Sequence, residues 1–127
     1  MGSEGSASNV LIVEDQPLIA LSIEDVLRDL GCTVTHAATV AEALIEIERA
    51  SWDAALLDVR LADGTVYPVA ELLQSKAIPF AFATGSIDEI DARFSGAPVL
   101  TKPFGHNELE ACLNALLAQK PHAPRAA

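Results

Sequence analysis

Basic side chains are scarce in this chain: Lys and Arg total 8 against 18 Asp and Glu, for a formal net charge of -10 over 127 residues. Such a field repels phosphate backbones and anionic membrane surfaces, so direct nucleic-acid or membrane binding is not expected. Cysteine is scarcer still. Cys32 and Cys112 are the only 2, too few and too far apart for a disulfide framework or a thiolate-rich zinc site, and both read as small buried apolar residues. His36, His106 and His122 do not sit beside carboxylates at ligand spacing, which leaves no zinc signature. No apolar run approaches the roughly 18 residues of a membrane span. The start, Met1 to Asn9, lacks the basic and apolar regions of a secretory signal, so a cytoplasmic location is expected. Its Met1-Gly2 with Ser6 fits a myristoylation pattern short enough to arise by chance.

What the chain does have is ordinary globular composition, 50% hydrophobic and 20% charged, in a length that suits one domain and needs no metal or disulfide to fold. The Gly- and Ser-rich residues 1–8 read as a disordered arm or cloning remnant, and residues 120–127, with Pro121 and Pro124, as a flexible tail. The ordered domain is then expected over residues 9–119.

Within that domain two kinds of segment alternate. Val10-Leu11-Ile12-Val13, Ala54-Ala55-Leu56-Leu57, Phe80-Ala81-Phe82-Ala83 and Val99-Leu100 are apolar on both faces, as strands covered by helices on each side must be. Val34-Thr35-His36-Ala37 is a weaker fifth strand, expected nearer an edge. Ile19, Ile23, Val26, Leu27 and Leu30 recur at helical spacing and Gly31 supplies a stop. Thr39 with Glu42, and Asn107 with Glu110, have the spacing of capping boxes that open two further helices. A third helix is expected over Tyr67 to Gln74 and a short fourth over Ile87 to Phe94. Five β-α repeats in about 110 residues are too few for an eight-stranded barrel. The expected fold is α/β: a flavodoxin-like, doubly wound (βα)5 three-layer sandwich with a five-stranded parallel sheet.

In such sheets the ligand site lies beyond the carboxyl ends of the strands. Glu14 and Asp15 follow the first strand, Asp58 ends the third, Thr84 the fourth, and Lys102-Pro103-Phe104 the fifth. Singly, each has an ordinary reading as a helix cap, a turn or a loop; their joint placement favours a site. Carboxylates gathered in one cleft repel each other unless a hard divalent cation sits among them, and Mg2+ is the natural candidate. Asp58 can then attack phosphorus to form an acyl phosphate, with Lys102 and the Thr84 hydroxyl holding the remaining phosphoryl oxygens.

This constellation resembles the receiver domain of two-component response regulators, in Val10-Leu11-Ile12-Val13-Glu14-Asp15, Leu56-Leu57-Asp58-Val59-Arg60, Ala83-Thr84-Gly85 and Thr101-Lys102-Pro103-Phe104. The resemblance implies that Asp58 takes a phosphoryl group from the phosphohistidine of a histidine kinase or histidine phosphotransfer protein. It implies further that Glu14, Asp15, Asp58 and the backbone carbonyl of Arg60 bind Mg2+, that Thr84 takes a phosphoryl oxygen and that Lys102 pairs with phosphorylated Asp58. The Lys102-Pro103 bond is typically cis in that family, and the residues at Arg60 and Ser86 commonly tune acyl-phosphate lifetime. Catalysis would be limited to the domain's own phosphorylation and dephosphorylation.

Three features depart from the common pattern. Val99 stands where many receivers have a switching aromatic, and the turn after Asp58 lacks the usual Met-Pro. Phe82-Ala83-Thr84-Gly85 is similar to a subgroup rich in single-domain receivers, without the aromatic that often follows. The segment from Thr84 to Phe94 is therefore the expected moving element. Alternatives are a receiver-shaped interaction module that is never phosphorylated and the terminal receiver of a hybrid sensor kinase. A flavin carrier is disfavoured because Glu14-Asp15-Gln16-Pro17 would repel a cofactor phosphate, and an aspartyl phosphatase because Arg60 stands where a second Asp is needed. The output partner is open; the last helix leaves a face for a partner helix or a homodimer.

Overall fold

A computed structural model of the chain describes residues 7–86 and 89–119. Five parallel strands form the sheet: β1 (Asn9–Val13), β2 (Thr33–Ala37), β3 (Ala54–Asp58), β6 (Phe80–Thr84) and β7 (Val99–Thr101), in the order β2-β1-β3-β6-β7. The weakly patterned β2 is at an edge, as expected. Between β3 and β6 a two-residue hairpin, β4 (Arg60–Leu61) and β5 (Gly64–Thr65), replaces the simple turn read from the sequence.

The unbroken apolar runs are explained by the two layers that cover the sheet. Val10, Ile12, Leu56 and Ala81 face the helices α1 (Pro17–Asp29) and α4 (His106–Gln119). Their neighbours Leu11, Val13, Leu57 and Phe82 face α2 (Val40–Arg49) and α3 (Tyr67–Ser75). Successive strand side chains point to opposite faces, so a strand covered on both sides needs apolar residues at every position. Each fully buried Leu or Phe contributes about 1.5–3 kcal/mol relative to exposure. Trp52, just ahead of β3, packs into the core: its ring is buried and its indole N–H donates to the Glu46 carbonyl at 3.1 Å.

Local chemistry sets the helix ends. Thr39 caps α2 by accepting from Glu42 N at 3.1 Å, and Glu42 reaches back to Ala38 N at 2.7 Å. Asp63, from the β4–β5 turn, accepts from Val40 N and Ala41 N and so ties the hairpin to the same helix end. Gly31 takes φ 89° after α1, a conformation that strains any residue with a Cβ. The opening of α4 differs from the expected Asn107–Glu110 box. The helix begins at His106, two residues before the expected start after Asn107, because Glu108 accepts from Gly105 N at 2.6 Å and the Gly105 carbonyl accepts from Leu109 N at 3.1 Å.

The fourth helix is also corrected. Residues 87–88 lie outside the described residues, and the rest of that segment forms a 3-10 turn, Ala92–Phe94, instead of an α-helix. Asp91 caps it by accepting from Arg93 N at 2.9 Å, and Phe94 is its one buried side chain, too little apolar surface to hold a longer helix against the sheet. Of the arm expected over residues 1–8, residues 1–6 lie outside the described residues, as does the tail expected over residues 120–127. At the inner edge of that arm, the Ser8 carbonyl accepts from Thr33 N at 2.8 Å and extends the β1–β2 ladder.

Candidate functional site

After β1 the chain adds β2 on one side and then crosses to build β3 on the other, so the strand order reverses between β1 and β3. The carboxyl ends of these two strands deliver Glu14, Asp15 and Asp58 to one point, and one carboxylate oxygen from each lies within 4.8 Å of the others. This is the one such acidic, His or Cys cluster among the described residues, and His36 and His106 are not part of it. Asp15 does not cap α1, whose N-cap is Gln16 without a side-chain cap bond.

Glu14 is 1% exposed, an unusual position for a carboxylate, and a set of polar contacts holds it, among them His36 Nε2 at 2.6 Å from its backbone carbonyl. Its Oε1 pairs with Lys102 Nζ at 3.0 Å, its Oε2 accepts from Gln16 N at 3.1 Å, and its backbone N–H donates to the Ala37 carbonyl at 3.0 Å. Lys102 Nζ also lies 3.5 Å from Asp58 Oδ1. One ammonium therefore serves two carboxylates, with a third close by. Burial and the Glu14 charge push the Asp58 carboxyl up from 3.8 to about 6, against the pull of Lys102; a hydrogen bond with Glu14 and the charge of Asp15 add to the rise. The Lys102–Pro103 peptide is cis.

Thr84, at the end of β6, is 2% exposed. Its hydroxyl lies 3.2 Å from Glu89 Oε1 and 3.3 Å from the Ser86 carbonyl, and its Oγ1 accepts from Ser86 N at 3.3 Å. Arg60 is largely exposed, with Nε 3.6 Å from Glu89 Oε2. Glu89 thus links two residues that the sequence placed at the site, and it was not itself expected there. Tyr67 was also missed. Its hydroxyl donates to the Glu89 carbonyl at 2.5 Å and accepts from Asp91 N at 2.9 Å, while its ring stacks on Phe94 at 5.7 Å. Neither residue carries a sequence signal, because both act through contacts more than 20 residues apart or within an unpatterned loop.

Cys32 is buried and Cys112 half-buried, both free, with burial pushing each thiol up, so neither is a nucleophile for this site. An open cleft of about 510 Å3 is lined by Pro79, Phe80 and Pro98 at the opposite ends of the strands, remote from the carboxylates. The chemistry therefore belongs to the acidic edge. It has an oxygen nucleophile, a cation to hold an anion and a carboxylate group suited to a hard metal ion.

The family model described as the response regulator receiver domain matches residues 10–114. The chain is similar to the KDP operon transcriptional regulatory protein KdpE of Escherichia coli (strain K12), 35% identical over 115 residues, which are 87% of this chain and 51% of that protein. It spans about half the length of the curated relatives it matches. Among solved structures, SdrG from Sphingomonas melonis Fr1 is similar at 47% identity and TM-score 0.79, over 90% of this chain and 99% of that one. A BeF3-activated conformation of SdrG from Pseudomonas melonis Fr1 is similar at 49% identity and TM-score 0.75, over 89% of this chain and 99% of that one.

Proposed function

The chain belongs to the response regulator receiver domain family, and from that premise we propose that Asp58 is its phosphoacceptor, in a two-component or phosphorelay pathway. The observation that carries this reading is the meeting of Asp58, Glu14, Asp15 and Lys102 at the switch point of the sheet. The phosphodonor is the phosphohistidine of a histidine kinase or histidine phosphotransfer protein. An Asp58 carboxylate oxygen attacks phosphorus, the P–N bond breaks with its electron pair returning to the imidazole, and an acyl phosphate remains on Asp58. The imidazole recovers a proton from solvent. Lys102, already within reach of Asp58, pairs with the added negative charge, and the Thr84 hydroxyl donates to a phosphoryl oxygen.

Mg2+ fits this donor set. Three carboxylates with one ammonium between them leave uncompensated negative charge, which adds to burial in raising the Asp58 carboxyl. Glu14, Asp15, Asp58 and the Arg60 backbone carbonyl would hold the ion. When bound, it supplies positive charge that offsets the charge of the transferring phosphoryl group. Family membership does not favour the reading as a module that is never phosphorylated. Signal output then passes through protein contacts of the Thr84–Phe94 segment. No helix among the described residues is long and apolar enough to cross a membrane.

The test is intact-protein mass spectrometry after incubation with acetyl phosphate, with and without Mg2+. We expect one phosphoryl adduct that requires Mg2+ and is released by hydroxylamine. An adduct that resists hydroxylamine, or none together with no beryllofluoride binding, would overturn the proposal.

A further inference from the structure

Building on the assignment of Asp58 as acceptor, we propose that Glu89 is a positioning residue whose carboxylate competes with the phosphoryl group for the Thr84 hydroxyl and the Arg60 guanidinium. The Thr84 side chain is buried, so its hydroxyl must find its partner inside the protein. A hydroxyl has one proton to donate. In this structure that proton is directed within the loop, to Glu89 Oε1 at 3.2 Å or the Ser86 carbonyl at 3.3 Å. Thr84 cannot give it to a phosphoryl oxygen while Glu89 keeps it. The second oxygen of the same carboxylate faces Arg60 Nε at 3.6 Å, two residues beyond Asp58, so one side chain engages both groups.

The loop is built so that the carboxylate can leave while its backbone stays. The Glu89 carbonyl is held by the Tyr67 hydroxyl at 2.5 Å, the same hydroxyl receives Asp91 N at 2.9 Å, and the Tyr67 ring is stacked on buried Phe94. The Glu89 side chain is 32% exposed. With Arg60 and Tyr67 it lines an open cleft of about 310 Å3, room enough for it to swing away from Thr84. A phosphoryl group brings about -1.5 to -2 charges, which repel Glu89 and draw Arg60. Both effects act in the same direction. With Val99 in place of a rotating ring, release of this carboxylate couples the acceptor to the segment that begins at Thr84.

The experiment is titration with beryllofluoride at saturating Mg2+ of the wild type, Glu89→Ala, Glu89→Gln and a Thr84→Ala pair with and without Glu89→Ala. Loss of one long, partly buried, charge-assisted hydrogen bond predicts about 3- to 10-fold tighter binding for Glu89→Ala, a smaller gain for Glu89→Gln, which keeps an acceptor, and a reduced gain when Thr84 is already Ala. The Thr84 methyl resonance of unliganded Glu89→Ala should move toward its position in the beryllofluoride-bound wild type, which a merely structural role would not produce. Equal or weaker binding by Glu89→Ala, or an unmoved Thr84 methyl, overturns the inference while wild-type binding leaves the acceptor assignment standing. A wild type that neither binds beryllofluoride nor forms an acyl phosphate overturns both.

Discussion

Replacing Asp58 with Asn should stabilise the protein at neutral pH in the absence of divalent cations, although it removes the group proposed as acceptor. At pH 7 the Asp58 carboxylate is ionised beside Glu14 and Asp15, with Lys102 shared between it and Glu14. Its folded pKa of about 6 lies above the ordinary 3.8, so between these values the folded state binds the proton more tightly than the unfolded chain does. Stability therefore falls as pH rises from about 4 to about 6 and stays lowered above that window. The rise from 3.8 to about 6 is worth about 3 kcal/mol at most, at about 1.4 kcal/mol per unit. Water reaches part of the carboxylate and screens it, which brings the expected effect to about 1–2 kcal/mol, or about 4–8 °C in Tm for a domain of this size. Urea unfolding in EDTA should show Asp58→Asn more stable than wild type at pH 7 and equal to it below pH 4. Saturating Mg2+ should stabilise the wild type and narrow the gap at pH 7. A variant that is no more stable at pH 7, or an advantage unchanged by pH, would refute the account of strained charge at this edge.

Three further outcomes follow from named contacts. Glu14→Gln removes a carboxylate from the cluster and the partner of Lys102, and should weaken Mg2+ binding at least about 10-fold by calorimetric titration; unchanged affinity would remove Glu14 from the metal site. Phe82→Ala empties a fully buried position ringed by Tyr67, Phe80 and Phe94, and denaturant unfolding should show a loss of about 3–5 kcal/mol. Tyr67→Phe keeps the stack on Phe94 but loses the bonds to the Glu89 carbonyl and Asp91 N, so the Asp91 amide should exchange faster, with a stability cost of about 1 kcal/mol.

The strands were legible because the sheet is covered on both faces: Val10 to Val13 and Phe80 to Ala83 could be apolar at every position only if helices lay on each side. Thr39 with Glu42 was legible because the capping bond is local. The same rule misplaced the start of α4, since Glu108 three residues after Gly105 offers the spacing as well as Glu110 after Asn107, and the frame used is the one in which Glu108 reaches the Gly105 N–H. At the site, residues at strand ends could be read because topology alone brings them together. The contacts of Asp63 with the first turn of α2, of Tyr67 with the loop before β7 and of Glu89 with Arg60 and Thr84 depend on how loops fold over the sheet. No periodicity encodes those contacts. The helix expected up to Phe94 failed for a related reason: Phe94 is the one buried side chain of the 3-10 turn, and the aromatic cluster with the Tyr67 hydroxyl holds the stretch without a helical stripe.

The most direct test of the account is to locate the acyl phosphate. Borohydride reduction of protein treated with acetyl phosphate and Mg2+ converts a phosphorylated aspartate to homoserine, which peptide mass spectrometry then places in the chain. The account predicts homoserine at position 58 alone, dependent on Mg2+ and absent from Asp58→Asn. Homoserine at Asp15 or Asp53 instead, or at no aspartate in protein that carries a phosphoryl adduct, would contradict it.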